Sequence, residues 1–152
     1  MTPFLCSTIL FSLFWTQENA AHAGDFLTPS EKSQLEREDN VENRIRIYES
    51  ASARIHRTIR ALIERQEFPE LLPQMRAWQD LTAEAFRDID RNIGRKKKSK
   101  NLIRFEIQLR KALLDLRNLK FQIPNEYQDE FESVLDRVDG VHKKLVDILF
   151  QS

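Results

Sequence analysis

Cysteine is nearly missing from this 152-residue chain, with Cys6 its one example, and glycine (3) and proline (5) are scarce. Lys plus Arg number 24 and Asp plus Glu 24, so there is no net charge either. Each shortage excludes something. One cysteine cannot build an internal disulfide framework or a site made of several thiolates. So little turn-forming material argues against an all-β architecture and leaves no Gly-rich phosphate loop. A neutral chain gives no global attraction to nucleic acid, and no nucleic-acid partner is expected. No apolar run reaches the ~20 residues that a membrane-spanning helix needs.

The longest apolar run, Phe4–Trp15 (FLCSTILFSLFW), suits an export signal. Polar residues 16–19 follow it, and Ala21-His22-Ala23 then fits a small-x-small cleavage pattern. The expectation is a cleaved signal over residues 1–23 and an exported protein, periplasmic or secreted. The opening Met1-Thr2-Pro3 departs from the usual pattern in having no Lys or Arg. Cys6 lies inside the signal, so the mature chain would carry no thiol and depend on packing alone.

What the chain has in abundance is charge, 32% of residues, and apolar residues at helical spacing. Residues 24–39 form an arm with one short helix: Thr28 can cap it, Pro29 suits its first position, and Glu31 can reach back to the Thr28 backbone. Residues 40–152 form the main domain. Its first long helix runs from about Asn40 to Gln66, with a four–three seam of Val41, Ile45, Tyr48, Ser52, Ile55, Ile59 and Leu62. Pro69 and Pro73 then mark a turn, and the next helix is predicted from Pro73 to Ile93, with Gly94 as terminator. Its seam is Met75, Trp78, Thr82, Ala85 and Ile89. A basic connection, RKKKSK over 95–100, leads to a helix ending at Ile123-Pro124 and then to a last helix over about Asn125–Phe150. The last seam, Tyr127, Phe131, Val134, Val138, Val141, Leu145 and Ile148, is interrupted only by Gly140. Four long helices with short connections predict an all-α fold: an antiparallel up-down four-helix bundle with an additional short N-terminal helix or arm.

One helix is apolar on two sides. Leu102, Phe105, Leu109, Leu113, Leu116, Leu119 and Ile123 supply the bundle seam, while Ile103, Ile107, Leu114 and Phe121 cluster opposite. A bundle buries one face per helix, and four bare apolar side chains would forgo about 1.5–3 kcal/mol each. Two covers are expected: Phe26, Leu27 and Leu35 of the arm, or another protein or a second copy of this chain.

Candidate chemistry is thin. His22 leaves with the signal, whereas His56 and His142 flank the seams. Asp139-x-x-His142 places a carboxylate and an imidazole one turn apart, as carboxylate-bridged metal bundles do, but no second such pair exists. His56 and His142 therefore read as partly buried edge residues, and neither metal nor cofactor is expected. No nucleophile–base set is legible, so the expected role is a non-enzymatic protein-interaction or scaffold module, the alternatives being an envelope-surface binder and a small-ligand or metal-binding helical bundle. Ser52, Thr82, Tyr48 and Trp78 read as core residues. Arg95, Lys96, Lys97, Lys98 and Lys100 form the one cationic cluster, suited to a solvated loop or to an anionic envelope surface.

Overall fold

The computed structural model describes residues 26–94 and 99–150. The predicted signal over 1–23 and the cations Arg95–Lys98 lie outside them. The described residues form helices α1 (Pro29–Arg37), α2 (Val41–Glu64), α3 (Phe68–Asn92), α4 (Lys100–Leu119) and α5 (Asn125–Phe150), with a 3-10 turn over Lys120–Gln122. Among them there is no strand, and no helix is long and apolar enough to cross a membrane. The architecture is the all-α helical bundle that the four seams predict.

Caps fix several helix starts where the sequence places them. Thr28 Oγ1 accepts from the Glu31 N–H at 3.2 Å while the Thr28 N–H donates to Glu31 Oε2 at 2.8 Å, a complete capping box. Asn40 and Ser99 accept from Glu42 and Leu102 and open α2 and α4. At the end of α2, Gln66 takes a left-handed φ of 59°. Its N–H donates to Ile63 O and that of Glu67 to Leu62 O, the pairing of a Schellman cap that usually carries glycine.

The third long helix is a correction. It begins at Phe68, not Pro73, and Pro73 lies inside it. Pro69 occupies the first turn, where a backbone N–H has no helical partner to lose. Pro73 removes one helical bond, to the carbonyl of Pro69, and Pro69 is exposed so that water can reach that carbonyl. Burial favours keeping the turn helical: Leu71 is fully buried and the Phe68 ring stacks on Tyr127 at 5.9 Å. Gly94 does follow the helix end, but without a positive φ, so it is not a left-handed cap. At the other end of the bundle, α4 tightens into its 3-10 turn over the last residues before Ile123.

The seams converge on one core in which Ile45, Ile55, Ile59, Met75, Trp78, Phe105, Leu109, Leu116, Phe131 and Val138 are inaccessible or nearly so. Each long helix has two neighbours: α2 packs on α3 and α4, and α5 packs on α3 and α4. Cross-helix bonds give the directions. Arg44 meets Asp88 and Ser52 meets Trp78, so α2 and α3 run antiparallel. Glu106 meets His142 and Lys120 meets Glu132, so α4 and α5 do the same. In contrast, Glu49 meets Arg104, Ser52 meets Gln108 and His56 meets Asp115, numbers rising together, so α2 and α4 are parallel neighbours. Chain direction still alternates up-down-up-down, but α3 and α4, consecutive in sequence, sit across the diagonal.

Candidate functional site

The apolar stripe of α4 is where the sequence places it. Ile103, Ile107 and Leu114 are spaced 4 and 7 apart and fall on one line along the outside of α4, and Phe121, seven further on, lies past the helix end in the 3-10 turn. Ile103 is 37% exposed, Leu114 62% and Phe121 90%, whereas Ile107 is half-buried. The large apolar side chains left exposed among the described residues are these three and the terminal Phe150.

The arm does not cover the stripe, which overturns the intramolecular cover. Helix α1 packs on α2. Two arginines of α2 hold it there. Arg54 donates to Glu31 (2.7 Å from Nη2 to Oε2) and to the Phe26 carbonyl (3.0 Å). Arg44 donates to the carbonyls of Leu35 (2.5 Å) and Glu38 (2.9 Å), and to Asp88 on α3 (2.7 Å from Nε). Asp88 is 5% exposed and also accepts from the Tyr48 hydroxyl and the Asn92 amide, so the buried carboxylate is saturated. Burial together with the Asp88 charge pushes the Tyr48 phenol well above its ordinary range. Burial alone would raise the Glu31 carboxyl, but hydrogen bonds from Arg54 and Thr28 outweigh it and hold Glu31 below 4.5. Phe26, Leu27 and Leu35 therefore pack on the core from the α2 side.

Charge flanks the stripe unequally. Toward α5, Arg110 pairs with Glu106, Arg117 with Asp139 and Lys120 with Glu132. Toward α2, a groove of about 520 Å³ separates the parallel helices. Its walls carry Arg57 and Arg60 from α2 and Arg104 and Lys111 from α4, against two acids, Glu49 and Asp115. Glu49 holds Arg104 at 3.2 Å, and Asp115 accepts from Arg60 Nε at 3.5 Å and contacts His56 Nε2 at 2.8 Å. Arg57 and Lys111 have no ion-pair partner among the described residues. Ala53 and Ala112 keep the groove open, and Gln108 lines it too. A buried relay fixes Gln108: Trp78 Nε1 donates to Ser52 Oγ at 2.9 Å, and Ser52 Oγ donates to Gln108 Oε1 at 3.1 Å. The amide oxygen is thus engaged by the relay, and the NH₂ is the donor group Gln108 has left.

The histidines serve as struts between helices. His56 stacks on Trp78 at 6.4 Å, and burial lowers its pKa below 6.5, aided by Arg60 and Arg57 against the opposing pull of Asp115. His142 Nε2 lies 2.9 Å from Glu106, while its Nδ1 is buried without a partner and 3.8 Å from Asp139. Asp139 is also held by Lys143 (2.9 Å) and Arg117 (3.5 Å), and although burial works to raise its pKa, those cations lower it below 3.8. The described residues hold no group of three or more potential metal ligands. Of the predicted cationic cluster, Lys100 is described and lies exposed in the first turn of α4.

Sequence reasoning finds the stripe because Ile103, Ile107 and Leu114 share one helix and Phe121 follows directly after it. It misses the groove, the arginine anchors of the arm and both interhelical His–carboxylate pairs because each joins residues 6 to 59 positions apart on different elements, where periodicity carries no signal. Compared with protein-family models, curated proteins and solved structures, the chain matches none of them.

Proposed function

We propose that the chain is an exported, non-enzymatic interaction module that docks another protein through the outer face of α4. The observation that carries this reading is the exposed line Ile103–Leu114–Phe121, left bare by an arm anchored elsewhere. A large apolar line rimmed by polar groups is the usual form of a protein-binding face. A second copy of this chain is a poor occupant. Helix α4 carries five Lys or Arg against two acids, and a two-fold pairing would set two such net-positive faces against each other. A partner with an apolar ridge and acidic neighbours fits better.

A photo-crosslinking residue at position 114, in the protein expressed in its native cell, tests this. A discrete adduct that disappears when Ile107→Glu and Phe121→Glu are added supports the reading. No adduct, or one indifferent to those changes, overturns it. Sedimentation should show a monomer at all accessible concentrations.

A second reading is an envelope-surface binder acting through Arg95, Lys96, Lys97, Lys98 and Lys100. It is favoured by Lys100 opening the same helix whose outer face is bare. Such binding would vanish with added salt or with Lys96–Lys98 replaced by Ser.

A further inference from the structure

We infer that the α2–α4 groove is a binding site for a phosphate-class oxyanion, free or as a phosphate ester, held between Arg57 and Lys111. This goes beyond docking through the outer face, with which the groove shares only Ile107.

Four cations and two carboxylates line the groove, leaving two positive charges in excess with His56 neutral. The carboxylates are engaged at its two ends, Glu49 with Arg104 and Asp115 with Arg60 and His56. The excess therefore falls on Arg57 and Lys111, one from each wall, which have no counter-ion among the described residues. The third donor is the NH₂ of Gln108, a residue that lines the groove and whose amide oxygen is engaged by the Trp78–Ser52 relay. Donors from two walls and the floor suit an acceptor that presents oxygens in three directions and carries up to two charges. A phosphate monoester does so, whereas a planar carboxylate offers two oxygens and one charge. Ala53 and Ala112 leave room for it, and Ile107 offers an apolar contact for whatever the ester carries. The opposite flank of α4 is no rival, because Arg110, Arg117 and Lys120 are paired there.

The test is an NMR titration of the isotopically labelled full chain with inorganic phosphate and pyrophosphate at constant ionic strength, with chloride as control. Saturable shifts confined to the Gln108 side chain, the Arg57 Nε–H and the backbone lining the groove are expected. Arg57→Ala with Lys111→Ala should weaken apparent affinity about tenfold or more, and Arg46→Ala, an exposed α2 cation outside this groove, should change nothing. Linear shifts, equal shifts with chloride, or affinity unchanged in the double variant would overturn the proposal. Both groove side chains are exposed, so the double variant should fold. Vesicles containing phosphatidic acid, a phosphate monoester, against phosphatidylcholine separate the sources. Competition by the anionic vesicles for the Gln108 signal assigns the site to a lipid headgroup, and phosphate binding without competition assigns it to a soluble ester.

Discussion

The two sides of α2 and α4 make an instructive contrast. On the α1 side of α2, an apolar segment (Phe26, Leu27, Leu35) finds a place on the core, and each end of the arm is tied by an arginine. On the outside of α4, an apolar line of similar content stays in water. Hydrophobicity is common to both and does not explain the difference. What differs is the polar anchoring. Arg44 and Arg54 present forks of donors that match the carbonyls of Phe26, Leu35 and Glu38 and the carboxylates of Asp88 and Glu31. Around the α4 stripe the arginines face acids of their own helix, of α5 and of α2, and offer the arm nothing directional. Apolar surface supplies drive without direction, and directional hydrogen bonds select which surface the arm covers.

The contrast can be broken most severely at its buried anchor. Asp88→Ala leaves the Arg44 guanidinium partly desolvated and unpaired and should cost about 3–5 kcal/mol in urea denaturation, with the arm released to proteolysis. A smaller loss compares the two apolar surfaces directly. Leu35→Ala, on the covered side, should cost about 2–3 kcal/mol, whereas Leu114→Ala should change stability by no more than about 0.5 kcal/mol. Equal losses would mean that α4's outer face is covered after all.

A more modest effect comes from pH. The folded state holds Glu31 below 4.5, so the unfolded chain takes up the proton first. The arm's contribution is complete above about pH 4.5 and is lost as pH falls through the lowered value. Limited proteolysis near Phe26 should accelerate in that window, and Arg54→Ala should remove the pH dependence. His56, also lowered, adds a loss of stability as pH drops below 6.5, since the unfolded imidazole protonates first. One change is a gain: a Cβ at Gly140 would meet nothing within 4 Å. Gly140→Ala should therefore stabilise by about 1 kcal/mol, providing a background in which variants of both surfaces remain folded.

Much of the fold is legible in the sequence because helices are local. The seam of α5 from Phe131 to Leu145, the Thr28-x-x-Glu31 box and the two-faced character of α4 all follow from residues within a turn or two of one another. The start of α3 is misread for the same reason: local rules weigh Pro73 against the helix, and only the burial of Leu71 and the stacking of Phe68 on Tyr127 overrule them.

Among the candidate sites, the stripe follows from sequence alone and the groove does not. Sequence determined that Ile103, Ile107 and Leu114 share a line, since 100° per residue requires it, whereas Phe121 follows in the 3-10 turn. Tertiary structure decided that the line is bare, because the arm's carbonyls found Arg44 and Arg54 first. It also decided that α2 and α4 lie parallel, so that Arg57 and Lys111 come to share one groove. The diagonal placement of α3 and α4 makes that choice, and which helices become neighbours is set by long-range packing and connection geometry rather than by any helix's own sequence.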